Sequence, residues 1–311
     1  MTITQLEYIV AVDTHRHFAT AAAQCFITQP TLSMQIQKLE DKLGSKIFDR
    51  SKQPVIPTEI GAEIIHQSRI ILNEVKKIDQ LITDKKGIVQ GELKIGIIPT
   101  LAPYLLPLFL QSFLKKYPAV TIKVKEMTTD IIVEKLKAGR IDAGLLVTPL
   151  LENSITEYPL FYEELVAYVS KKNAAYKKNY VLADDIDLKE LWLLEEGHCF
   201  RSQIVNLCEL KKQTKEQSNF EYEAGSVETL RKMVELNNGV TILPELATLD
   251  FTGRQQSMIR HFKNPAPVRE VSLVTHRDFI KKKLIDALKE AILATLPAKI
   301  SLNKNKNLIK I

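Results

Sequence analysis

The chain has few cysteines, no long apolar run and none of the short motifs that mark common enzymes. No stretch of 18 or more apolar residues occurs, so no membrane span is expected. The opening Met1-Thr2-Ile3-Thr4-Gln5-Leu6-Glu7 lacks a basic-then-apolar leader, and a cytoplasmic location is expected. There is no phosphate-binding loop, dinucleotide fingerprint, Gly-x-Ser-x-Gly or His-Glu-x-x-His, and no internal repeat. A bound cofactor is therefore not expected. Only three cysteines are present, Cys25, Cys199 and Cys208. The third lies far from the other two and no close Cys/His quartet forms, which argues against a zinc site. In a reducing compartment any disulfide would be transient.

What is present is ordinary for a globular protein. The 311 residues suggest about two domains. The content is 45% hydrophobic and 26% charged. A formal charge of +6 permits nucleic-acid binding without showing it, since much of the excess lies in Lys281-Lys282-Lys283 and in a tail with Lys299, Lys304, Lys306 and Lys310. Residues 301–311 read as a disordered tail.

Two cysteines sit in Glu196-Gly197-His198-Cys199-Phe200-Arg201-Ser202-Gln203-Ile204-Val205-Asn206-Leu207-Cys208. Phe200, Ile204, Leu207 and Cys208 recur at helical steps. Nine residues of helix rise roughly 13 Å and put Cys199 and Cys208 on opposite faces. A disulfide needs Cα atoms about 4.4–6.8 Å apart, so the helix would have to be rebuilt to close one. A helix start, His198 and Arg201 all favour a thiolate at Cys199, while Cys208 lies on the apolar stripe. Two readings stay open: a pair of ordinary core cysteines, or a reactive thiol with a resolving partner.

In the first sixty residues, Leu6, Ile9, Val10 and Val12 predict a helix, with Thr2 or Thr4 as its cap. A small-residue helix over Phe18–Phe26 follows, and Cys25 falls among apolar neighbours as a core residue. A third helix begins near Thr28-Gln29-Pro30, where Thr28 suits the cap and Pro30 the first turn. Its stripe is Leu32, Ile36 and Leu39. Its other face carries Gln29, Thr31, Ser33, Gln35 and Lys38, with side chains of the length that reaches base edges and phosphates. Residues 43–50 and 54–58 predict a hairpin wing that brings Arg50 and Lys52 near phosphates. The alternative is an unrelated helical hairpin with a polar face.

The spacing of Ile60, Ile64, Ile65, Ile71, Leu72, Val75, Ile78 and Leu81 predicts a helix of nearly thirty residues, capped by Thr58. With no chain before it to pack on, it implies a partner helix. From residue 90 strands and helices alternate, which predicts a parallel α/β sheet with ligands beyond the strand ends. Thr100 and Thr129 fall there, and as residues near helix starts they are equally good caps. Strands near 165–169 and 270–274 mark two crossings between lobes.

Over residues 17–61 the run Ala21-Ala22, Thr28-Gln29-Pro30-Thr31-Leu32-Ser33, Gln35-Ile36, Lys38-Leu39-Glu40, Leu43-Gly44, Phe48 and Arg50 resembles the winged helix of LysR-type transcriptional regulators. Met34 stands where many members carry Arg or another polar residue. Ile98-Pro99-Thr100 with Pro103–Pro107, Gly197–Arg201 with Cys208, and Glu228-Thr229-Leu230-Arg231 resemble the peroxide-sensing members of that family, over nearly the whole chain except the tail.

The resemblance implies an α/β chain with a helix-rich winged helix-turn-helix, a long linker helix and a two-lobed periplasmic-binding-protein-like regulatory domain. The expected divisions are 1–58 for DNA binding, 59–89 for the dimerisation helix and 90–300 for regulation, with lobe I at 90–163 and 268–300 and lobe II at 164–267. It implies contacts to double-stranded DNA from Thr28, Gln29, Pro30, Thr31, Ser33, Gln35, Lys38 and Arg50. It implies that hydrogen peroxide oxidises Cys199, that Cys208 resolves it as a disulfide, and that Thr100, Thr129, His198, Gln203 and Arg269 place the peroxide. Ser202 stands where an acidic residue is common. The implied assembly is a dimer of dimers that activates oxidative-stress genes, with RNA polymerase and a glutaredoxin- or thioredoxin-type reductant as partners. The rivals are a LysR-type regulator answering a small organic effector, and a thiol peroxidase enzyme.

Overall fold

The computed structural model describes residues 1–85, 89–186, 190–194, 200, 201, 203, 204, 225–277, 279, 281–300, 307 and 308, with the side chains of 76, 77, 79–85, 184 and 307 left aside. The chain divides into two compact units, Met1–Ile88 and Val89–Ile311.

The first unit begins with α1 (Ile3–His15). The Thr2 hydroxyl accepts from the Gln5 amide at 3.2 Å and the Gln5 side chain accepts from Thr2 N at 3.0 Å, a reciprocal cap. Next come α2 (Phe18–Gln24) and α3 (Gln29–Leu43). Thr28 caps α3, Pro30 lies in its first turn, and Gly44 ends it with φ at 68°. Leu32, Ile36 and Leu39 are fully buried against a core that includes Leu6, Ile9 and Val12. The wing is a two-strand hairpin, β1 (Phe48–Asp49) and β2 (Ile56–Pro57), paired antiparallel. Buried Glu40 holds its base by accepting the Ile47 amide at 2.8 Å and Arg50 Nη2 at 3.3 Å.

The long helix α4 (Glu59–Lys85) starts where the Thr58 hydroxyl accepts from Gly61 N at 3.0 Å. The expectation that it has nothing of its own chain to pack on is corrected for its first half. Ile65 and Ser68 are buried there, and Ile64, Ile71 and Leu72 pack on the same core as α1. The apolar stripe is long enough to serve that core first and still leave Ile60, Ile70 and Ile78 exposed.

The second unit is built on one mixed sheet. β3 (Gly91–Ile97) pairs parallel with β4 (Val120–Glu126) and with β5 (Ala143–Thr148), the arrangement expected from βα alternation. The helices between them are α5 (Ala102–Lys116) and α6 (Thr129–Lys137). β5 is buried at every position, which explains its unbroken apolar run. The expectation of a wholly parallel sheet is corrected beyond β5. β6 (Ile155–Val169) and β10 (Pro267–His276) are antiparallel partners over Val268–His276, and β10 runs antiparallel to β5 as well. Strand identity is written in apolar content, whereas strand direction is set by how the chain returns from elsewhere.

β6 is long enough to serve two cores. Phe161 belongs to one, with β3, β5, α5 and α8 (Lys282–Thr295); Leu165 to Val169 belong to the other. That second core contains β7 (Tyr180–Val181), α7 (Val227–Leu236), β8 (Val240–Pro244) and β9 (Ile259–Phe262). The tail reading is corrected at two residues. β11 (Asn307–Leu308) pairs parallel with Pro267 and Val268. β5 stops pairing with β10 at Thr148, opposite Glu270, so the edge before it is open and a strand fills it.

Candidate functional site

The expected DNA-facing residues divide into two groups. Gln29, Pro30 and Lys38 are exposed on α3. Thr31, Ser33 and Gln35 are half-buried and already have partners. The Thr31 hydroxyl lies 2.8 Å from that of Thr28, which is exposed, and Ser33 Oγ accepts from Arg50 Nη1 at 3.0 Å. Gln35 Oε1 accepts from Gln5 Nε2 at 3.3 Å. Arg50 is thus anchored by Ser33 and Glu40 and stacks 5.1 Å from the centre of the Phe18 ring. A cavity of about 410 Å³ opens beside these groups, lined by His15, Arg16, His17, Ser33, Arg50 and Lys52 among others. The basic triplet His15-Arg16-His17 was visible in the sequence and carried no assigned role. Cys25 is half-buried, and burial pushes its thiol up, with Glu7 adding to the effect.

The second group of expected residues converges on one buried cation. Arg269 and Glu163 are direct partners across β10 and β6, and neither side chain is exposed. Arg269 Nε donates to Glu163 Oε2 at 2.9 Å, Nη1 to the Thr100 hydroxyl at 3.0 Å and Nη2 to the Thr100 carbonyl at 3.3 Å. The guanidinium carbon lies 5.2 Å from the centre of the Phe200 ring. Phe200, Arg201, Gln203 and Ile204 are helical, and Phe200 and Ile204 are fully buried, as their spacing predicted. Arg201 Nη1 donates to the Leu194 carbonyl at 2.8 Å.

Thr100 and Thr129, which the sequence also offered as helix caps, do not cap. Neither α5 nor α6 has a side-chain cap bond. The Thr100 hydroxyl serves Arg269, and buried Thr129 Oγ1 has no partner among the described residues. Gln203 is fully buried with both amide atoms also unpartnered among those residues. His198, Cys199, Ser202 and Cys208 lie outside the described residues.

Glu163 is the residue that the sequence reading missed. Tyr162-Glu163-Glu164 reads as a strand turning toward solvent, and nothing local marks one carboxylate for burial. The structure also joins two segments of the family-like motifs. Tyr104 packs on both cores, and its hydroxyl donates to Glu228 Oε1 at 3.0 Å. Burial and the Glu228 carboxylate push its phenol well up. A further cavity, about 470 Å³, lies past the ends of β3 and β4, lined by Pro99, Met127, Thr128, Ile131 and Gly225 among others. Among the described residues no helix is long and apolar enough to cross a membrane.

Residues 3–62 match the family described as bacterial regulatory helix-turn-helix protein, lysR family, and residues 86–297 match the LysR substrate binding domain. The hydrogen peroxide-inducible genes activator of Haemophilus influenzae is 35% identical over 274 residues, covering 88% of this chain and 90% of that one. A full-length OxyR variant, C199D, from Pseudomonas aeruginosa superposes with a TM-score of 0.81 at 33% identity, covering 95% of this chain and 99% of that one. An H2O2-bound OxyR mutant from Corynebacterium glutamicum gives a TM-score of 0.61 at 25% identity, covering 94% of this chain and 92% of that one.

Proposed function

The chain belongs to the LysR family of bacterial helix-turn-helix regulators, and on that premise we propose that it is a transcriptional activator responding to hydrogen peroxide through Cys199 and Cys208. The observation that carries the reading is the buried Arg269. Its guanidinium is bound to Thr100 and stacked on Phe200, the residue that follows Cys199 in the chain. The buried polar atoms of Gln203 and Thr129, which have no partner among the described residues, support the reading as donors and acceptors for a small polar molecule.

The chemistry balances without a cofactor. The Cys199 thiolate attacks one peroxide oxygen, the O–O bond breaks, and the departing oxygen leaves as water after taking a proton. The sulfenic acid at Cys199 is then attacked by Cys208, which forms the disulfide and releases a second water. A dithiol reductant resets the pair. His198 and the threonines hold the peroxide, and Arg269 stabilises charge on the departing oxygen. No free helix accommodates both states, so oxidation rebuilds the segment and changes the assembly. The chain's role is regulatory rather than that of a thiol peroxidase.

For the output, Gln29 and Lys38 face base edges and phosphates. Thr28, Pro30, Thr31, Ser33, Gln35 and Arg50 shape and orient that surface. Residues 1–58 bind DNA, 59–89 pair two copies through exposed residues such as Ile78, and lobes I (90–163 and 268–300) and II (164–267) form the sensor. Two such dimers assemble, work in the cytoplasm and engage RNA polymerase.

Titrating the protein with peroxide and mapping disulfides by mass spectrometry tests this. A Cys199–Cys208 bond that forms rapidly, and a DNA footprint that changes with it, are expected. Cys199→Ser should abolish both, and Cys208→Ser should leave a trappable sulfenic acid. A Cys199→Ser protein that still responds overturns the reading. The cavity past β3 and β4 favours one rival, an organic effector. That rival requires a response with no disulfide.

A further inference from the structure

Glu163 lies where β6 passes from one core to the other, between Phe161 and Leu165. Its carboxylate uses both oxygens. Oε2 accepts from Arg269 Nε at 2.9 Å and stands 2.8 Å from Nη2, while Oε1 accepts the Leu246 amide at 2.7 Å. Leu246 belongs to the turn directly after β8. One side chain therefore ties β6, β10 and the exit of β8 together. It also does two things to Arg269. It compensates a charge that burial alone would make costly. By holding Nε and one side of Nη2 it turns the other guanidinium donors toward Thr100, Nη1 to its hydroxyl and Nη2 to its carbonyl.

We infer that Glu163 is a positioning residue for the peroxide reaction: it orients the Arg269 guanidinium and sets how much of its positive charge acts at Cys199. The inference rests on the Cys199 reading above. Glu163 itself need not touch peroxide. Its influence runs through Arg269 and the Phe200 ring on which that cation stacks.

The test uses the full-length protein with Glu163→Gln and Glu163→Asp. Two quantities are read: the pH midpoint of Cys199 alkylation by iodoacetamide, and the rate of Cys199 oxidation by hydrogen peroxide per thiolate. Glu163→Gln removes a negative charge and keeps the size, so the midpoint should fall by about one pH unit. The oxidation rate per thiolate should fall about tenfold as the guanidinium loses its fixed orientation. Glu163→Asp keeps the charge and shortens the reach, so the midpoint should hold while the rate falls. A purely structural pair would lower the melting temperature and leave midpoint and rate unchanged in both variants, which overturns the inference. If Glu163→Gln does not fold, Glu163→Asp decides through the rate alone. Wild-type protein whose Cys199 is inert to peroxide overturns the sensor reading instead; the alkylation midpoint then still reports on the Glu163–Arg269 coupling.

Discussion

Arg69, almost three turns into α4, donates from Nη2 to Asp13 Oδ2 of α1 at 2.7 Å, and Asp13 is buried. The same carboxylate meets Arg16 at 2.9 Å, and the Arg16 carbonyl accepts the Val55 amide just before the wing's second strand. Linker helix, first helix and wing therefore share one charge cluster. A rotation of α4 cannot leave the wing undisturbed without breaking it.

Arg69→Ala should expose that coupling. Asp13 keeps Arg16, so the expected loss is about 1–3 kcal/mol rather than the full cost of a stranded buried charge. Thermal unfolding of the full chain checks the stability, and DNA affinity should fall with it. Removing both partners with Asp13→Leu and Arg69→Met should recover much of the stability. Equal losses in the single and double variants would show that the pair is not the source.

The exposed residues of α3 should separate in their effects on DNA binding. Gln29→Ala should cost roughly 1–3 kcal/mol against the specific site and relax its sequence preference. Lys38→Ala should weaken all sequences alike and reduce the salt slope by about one. Thr31→Ala should act mainly on stability, because its hydroxyl is 2.8 Å from that of the capping Thr28. Binding isotherms at several salt concentrations separate these patterns.

Legibility in the sequence followed the range of the interaction. Thr2, Thr28, Thr58 and Pro30 were readable because a helix cap is closed within three or four residues. The stripes Leu32, Ile36, Leu39 and Phe200, Ile204 were readable because burial follows the helical period. Arg269 and Thr100 came from motif likeness, which carries the positions of partners that spacing cannot. Glu163 was invisible to both: its partner is 106 residues away, and its neighbours Tyr162 and Glu164 hide it in a polar run. The antiparallel return of β10 was equally hidden, since an apolar strand of ten residues reads the same in either direction.

Gly61→Ala should loosen the start of α4. A Cβ there would run into the Ile47 carbonyl, a backbone group at the wing's base that already accepts the Thr58 amide at 3.0 Å. Neither backbone segment can yield cheaply, so a loss of about 1–3 kcal/mol is expected. In a unit of this size that corresponds to a melting temperature lower by several degrees, about 4–8 °C for each kcal/mol. Calorimetry reads the shift, and an unchanged transition would mean that α4 does not press on the wing.

Tyr162 gives stability a dependence on alkaline pH. Its hydroxyl donates to Glu270 Oε2 at 2.6 Å, and Glu270 also accepts from Thr148 at 2.6 Å. Burial first, then that hydrogen bond and the carboxylate charge, push the Tyr162 phenol up to about 12. The folded state thus prefers the neutral phenol more strongly than the unfolded chain does. The stabilisation is complete below the ordinary value of about 10 and is lost as pH rises toward about 12. Tyr162→Phe removes this titration and one donor to a buried carboxylate. At neutral pH the variant should be less stable by about 1–3 kcal/mol. Between pH of about 10 and 12 the gap to wild type should narrow, because only wild type loses the Tyr162 contribution there. Lysines and the other tyrosines titrate in both proteins and cancel in the difference. Urea unfolding across that range measures it, and two parallel curves would rule out Tyr162 as the titrating group.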